Sequence, residues 1–149
     1  MRETFHFAGA LTTILVWGEQ TACAFSLHET MQPPGGTTPP HVHAREDETA
    51  YVVSGTLTVE TEHQMLHLAA GSARLLPRGI SHRLSNRGTE DVRYVVFCTP
   101  AGFDKFVREA GERSAEASPA PRPMTPEERA RLASAMARHR ISFVADTDL

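Results

Sequence analysis

Cysteine is scarce in this chain. Cys23 and Cys98 are the two among 149 residues. Both sit in apolar, strand-like runs, which reads as reduced core thiols; they form no CxxC pair and have no metal-ligand spacing. Long hydrophobic runs are missing too. The longest near the N-terminus, Ala10 to Trp17, holds two threonines and is too short for a membrane span. It has no basic lead-in and no small-residue cleavage site, so no signal peptide is read and a cytoplasmic location is expected. Positive charge is not in excess: the formal net charge is −3. Attraction to phosphate backbones is therefore not expected, and nucleic acid and membrane are excluded as expected partners. Beyond Ala101 basic and acidic residues balance, so the arginines there read as a solvated helix face. There is also no serine-triad motif, no phosphate-cradling glycine loop and no DNA-binding helix pair ahead of the central region.

What is present is concentrated in two runs. Hydrophobic residues at 40% and charged residues at 22% suit one soluble domain with a sizeable core. Within it, Gly35 to Gly55 reads GGTTPPHVHAREDETAYVVSG. His41 and His43 lie one residue apart, and side chains at i and i+2 of a strand share a face. A turn over Ala44 to Asp47 would return Glu48 toward the same point. Two imidazoles and one carboxylate suit a divalent transition metal. The prolines of Gln32 to Pro40 stiffen the approach to His41. The second run, Gly71 to Asn86, reads GSARLLPRGISHRLSN. Pro77 and Gly79 make a turn, and His82 opens an alternating strand as a further ligand candidate.

The two runs resemble the two signatures of the cupin superfamily at all ten fixed positions: Gly35, His41, His43, Glu48 and Gly55, then Gly71, Pro77, Gly79, His82 and Asn86. One copy of each is present, so the resemblance implies a single cupin jelly-roll β-barrel, an all-β fold, with one metal held by His41, His43, Glu48 and His82. The expected organisation is a barrel over 1–100 and a C-terminal helical extension over 101–149 packing on it. The wording HVHAREDETAYVVSG, with a last strand running into Thr99-Pro100-Ala101-Gly102-Phe103, further resembles quercetinase-like cupin dioxygenases. That likeness implies cleavage of an enolisable compound with O2, with Glu48 as catalytic base.

The rest of the chain reads as follows. Leu11 to Trp17 is a strand. Ala22 to Met31 alternates, with Cys23, Phe25, Leu27 and Met31 as the expected core face; if the other face turns inward, His28 lines the pocket. Pocket candidates are Ala50 and Val52, which share the parity of Glu48, together with Phe25, His28 and Phe103. Glu46 and Asp47 are expected to face outward. Asp91 to Thr99 is apolar on both faces, which calls for a cover: a C-terminal helix or the second subunit of a homodimer. Gly102 to Ala110 is an amphipathic helix whose Phe103 and Phe106 either roof the pocket or, as the favoured reading, pack on the barrel wall. Thr125 to Arg140 starts with a capping box and carries Leu132 and Met136, flanked by Ala133 and Ala137, on its apolar face. Ile141 to Val144 is an apolar tail.

Three imidazoles and one carboxylate leave two positions open on an octahedral ion, which suits catalysis. The leading expectation is a metal-dependent dioxygenase taking O2 and a small enolisable, aromatic or polyketide-like substrate. The alternatives are a non-redox isomerase, cyclase or lyase, and a non-enzymatic small-ligand binder. Imidazole–carboxylate sets accept Fe, Mn, Ni, Co or Zn.

Overall fold

A computed structural model describes residues 2–145. Among them the chain forms twelve strands, two α-helices and one short 3-10 turn at Gly18–Thr21. The strands are β1 (Glu3–Phe7), β2 (Ala10–Val16), β3 (Ser26–Gln32), β4 (His41–His43), β5 (Asp47–Ser54), β6 (Thr56–Thr61), β7 (Gln64–Ala69), β8 (Ala73–Leu76), β9 (His82–Ser85), β10 (Val92–Thr99), β11 (Glu112–Arg113) and β12 (Ile141–Phe143); the helices are α1 (Phe103–Ala110) and α2 (Pro126–Arg138). One sheet runs β11-β1-β2-β3-β10-β5-β8 and the other β12-β4-β9-β6-β7. Every pairing is antiparallel, and the two sheets pack face to face over a shared core. The fold is the expected cupin barrel with helices after the last long strand.

The period of two sets which side chains enter the barrel. On β10, Val92, Tyr94, Val96 and Cys98 point inward and are buried. On β5, Glu48, Ala50 and Val52 do the same. The phase of β3 is the opposite of the expected one. Ser26, His28, Thr30 and Gln32 are buried, while Phe25 and Leu27 are only half-buried and Cys23 is exposed. The two sets of side chains are grouped as expected from Phe25 to Met31, but the small, polar set faces the barrel interior and the apolar set lies outside. Ala22 and Cys23 both take left-handed backbone, at φ 51° and 63°, and lie before the strand begins. Phe25 instead stacks on Phe97, with centroids 4.9 Å apart, on the outer face of the sheet.

The segment after β10 closes one end of the barrel. Asp104, fully buried, accepts from the backbone N–H groups of Gly18 (3.0 Å) and Gly102 (3.1 Å) and so ties the start of α1 to the turn that follows β2. The helix turns Phe103, Phe106, Val107 and Ala110 inward, an i, i+3, i+4, i+7 stripe. The capping box of α2 is formed: Thr125 Oγ1 accepts from Glu128 N–H, and Glu128 Oε2 from Thr125 N–H. Its buried stripe is Leu132, Ala135 and Met136, so Ala135 takes the place expected of Ala133 and Ala137. The apolar tail is a strand: β12 pairs with β4, setting Phe143 opposite His41 and Ile141 opposite His43. β11 likewise joins the other sheet beside β1. On the outer face of β5 and β8, Tyr51, Val53 and Leu75 are exposed, so neither helix covers it. No helix among the described residues is long and apolar enough to cross a membrane.

Gly55 joins β5 to β6 at φ +80°, and a Cβ there would stand 2.8 Å from Val92 Cγ2 and 3.1 Å from Asp91 O. Both the left-handed backbone and the backbone contact oppose a side chain. Gly55→Ala is expected to cost about 1–3 kcal/mol of stability, read as a lower urea midpoint at unchanged slope.

Candidate metal centre

The four ligand-type residues come from three strands and both sheets. β4 supplies His41 and His43, β9 supplies His82 directly opposite His41, and β5 supplies Glu48 from across the barrel. One ligand-type atom from each of His41, His43, Glu48 and His82 lies within 4.8 Å of all the others. His43, Glu48 and His82 are buried, and His41 is half-buried.

Hydrogen bonds behind the rings set their tautomers. A carbonyl oxygen only accepts, so His41 Nδ1 donates to Pro39 O at 2.8 Å and His82 Nδ1 donates to Ile80 O at 3.3 Å. The proton of each neutral ring is then on Nδ1, and Nε2 presents a lone pair to the cluster. His82 Nε2 lies 2.8 Å from Glu48 Oε2, and His43 Nε2 lies 3.7 Å from Glu48 Oε1. His43 Nε2, His82 Nε2 and Glu48 Oε2 are buried and have no hydrogen-bond partner. Lone pairs held this close repel unless a proton is shared between them or a cation lies among them. The donor set and its orphaned atoms thus fit a single divalent transition ion.

The charges follow the same geometry. Burial alone would raise the Glu48 pKa, but His43, His82 and His41 outweigh it and hold the carboxyl well below the usual carboxylate range. Burial, then His82 and His43, bring His41 down to about 3, so its ring is neutral at neutral pH. For His43 burial works against the imidazolium, yet Glu48 and Glu46 together raise its pKa.

Glu46 is the residue that sequence reasoning placed wrongly. It was expected outside and is only 2% exposed, with Oε2 3.5 Å from His43 Nδ1. The turn between β4 and β5 breaks strand parity, so alternation could not place it. Room for its carboxylate comes from Gly102, where a Cβ would stand 2.9 Å from Glu46 Oε1. Asp47 does face outward, bonded to the Arg78 guanidinium at 2.9 and 3.1 Å.

Beside the cluster lies a cavity of about 70 Å³. His28 and Phe103 line it, and their rings stack with centroids 4.7 Å apart. Phe106 lines it as well, so both phenylalanines of α1 roof the pocket rather than pack on the outer wall. Phe25 is elsewhere, for the reason of phase given above. Ala50 and Val52 face the interior as parity required, but are fully buried in the core and do not line the cavity. Thr30, Gln32, Tyr94 and Ile141 line it without having been singled out. The inward phase of β10 alone could have indicated Tyr94. Burial lowers the His28 pKa to about 4, against the pull of Glu48 and Asp104, and the ring is neutral at neutral pH.

Supporting carboxylates behind metal-ligating histidines fix the ring and raise its basicity. Glu46→Leu is expected to weaken divalent metal binding by about 10–100-fold, and Glu46→Gln, which keeps an acceptor, by less. Competition with a chromophoric chelator measures both. Unchanged affinity in Glu46→Leu would show that His43 needs no such support.

Residues 28–98 match the family described as Cupin domain. Oxalate oxidase GF-3.8 of Triticum aestivum is 32% identical over 89 residues, covering 54% of this chain and 40% of that protein. The chain thus spans well under half the length of this curated relative. Among solved structures, KdgF from Halomonas sp. superposes with a TM-score of 0.60 at 22% identity, over 68% of this chain and 89% of that one, a likeness of fold. A recombinant oxalate oxidase in complex with glycolate superposes with a TM-score of 0.54 at 26% identity, over 62% and 52%. With ten motif positions, the two-sheet barrel and the converging ligand set in agreement, residues 28–98 of this chain are a cupin domain of the cupin superfamily.

Proposed function

We propose that this protein is a metal-dependent oxidoreductase that uses O2 to oxidise a small enolisable compound. The observation that carries the reading is the buried three-histidine, one-glutamate cluster opening onto a largely apolar cavity. A divalent transition ion held there supplies Lewis acidity and a redox partner for dioxygen. The likeness to oxalate oxidases supports redox chemistry over purely structural metal binding.

The protein's own groups do the remainder. Pro39 O and Ile80 O hold two imidazoles in the ligating tautomer. The aromatic roof of Phe103 and Phe106 excludes water from the reacting end. Among the described residues Glu48 is the one carboxylate lining the cavity, charged at neutral pH, and so the group in place to receive a proton from a bound enol. The quercetinase-like resemblance enters through this chemistry and not through substrate size. At about 70 Å³ the cavity is far below the roughly 300–1,000 Å³ of common ligand pockets, which favours a molecule smaller than a three-ring flavonol. A homodimer through the exposed Tyr51, Val53 and Leu75 face belongs to the same proposal; a clean monomer in sedimentation at micromolar concentration removes it.

The test is turnover of small enolisable compounds in an oxygen electrode. Oxygen consumption is expected under air, no turnover under argon, and a loss of at least about 100-fold in His82→Ala. Equal turnover under argon would overturn the redox reading in favour of an isomerase or lyase that uses the ion as a Lewis acid alone.

A further inference from the structure

The cavity has two unlike ends. At one end stand His41 and Glu48 of the cluster. The inward face of β3 runs away from it through His28, Thr30 and Gln32. Strand register orders these residues: Glu48 is opposite Cys98, His28 opposite Val96 and Gln32 opposite Val92. Gln32 therefore marks the far end. Its amide Nε2 donates to Leu84 O at 3.3 Å. Leu84 is two residues beyond His82 on β9, so the amide stands roughly 7 Å along that strand from the ligand.

The bond to Leu84 O also settles which atom of the amide is oxygen. Gln32 Oε1 is the other atom; it is buried and has no partner. It accepts and cannot donate. Nearby, Thr12 Oγ1 and Thr30 Oγ1 bond each other at 3.2 Å. Among the described residues no arginine or lysine lines the cavity, and Glu48 is its one acidic group. The walls between the ends are made by Leu84, Val96 and Phe103 and also carry the His28 ring, Thr30 and the Tyr94 hydroxyl.

A buried acceptor-only atom without a partner favours a ligand that brings a donor. It disfavours a carboxylate or phosphate, which would set negative charge against oxygen with no cation to offset it. We infer that the cavity selects a short, uncharged hydroxy-carbonyl compound whose carbonyl or enol oxygen meets the four-ligand end and whose hydroxyl donates to Gln32 Oε1. The inference rests on the cluster being a metal centre, and the experiment separates the two.

The probes are 6-hydroxyhexane-2,4-dione and heptane-2,4-dione, which differ in a hydroxyl replaced by a methyl at the far end. Protein loaded with zinc, a redox-inert ion, is titrated with each in a calorimeter. The hydroxylated probe is expected to bind about tenfold more tightly, and the difference is expected to vanish in Gln32→Met. Equal binding of the two probes by the unaltered protein overturns the inference without need of a variant. A preference that survives Gln32→Met overturns the assignment to Gln32. Failure of the protein to take up zinc, seen before any probe is added, overturns the metal reading and this inference with it.

Discussion

The structure depends on one electrostatic conflict. Three imidazole nitrogens and a carboxylate are turned toward one another in a buried space, and several of their atoms have no hydrogen-bond partner. Isolated, such an arrangement is unfavourable, because desolvated lone pairs repel and unpaired polar atoms are costly to bury. The barrel is built to hold them there regardless. Opposed strands fix His41 against His82, the second sheet brings Glu48 across, and backbone carbonyls lock two of the rings. Organisation of this kind reduces the reorganisation needed when a cation arrives.

The ligand set was legible because strand geometry is simple. A spacing of two on one strand gives one face, and the motif spacings then carry the strand order. The inward faces of β5 and β10 followed from the same alternation. Alternation sorts side chains into two faces without saying which one enters the barrel, and on β3 the polar face entered it. Legibility failed outright where the backbone left that period. The turn before β5 put Glu46 inside. The tail at Ile141 carried too few residues to declare its pairing with β4, because strand partners are chosen by tertiary contact and not by local sequence. The helix stripes were readable, but the surface each one met was not.

Chemistry and selectivity come from different parts of the chain. The four ligands all lie within residues 28–98, the part that matches the family. Much of the cavity wall lies outside it: Phe7 and Thr12 on one flank, Phe103, Phe106, Leu132 and Ile141 on the other. A likeness confined to the barrel therefore speaks to the ligand end of the site and says little about the compound that fills it.

The pairing of β12 with β4 has a bearing on how the protein behaves in a crowded solution. β4 is a short strand that carries two of the ligands, and with only β9 beside it one row of its amides and carbonyls would be open to any passing extended peptide. β12 occupies that row, so the rim of the sheet is moved one strand away from the ligands. The last described strand thus works as a guard rail, keeping the histidine strand from templating intermolecular β-structure.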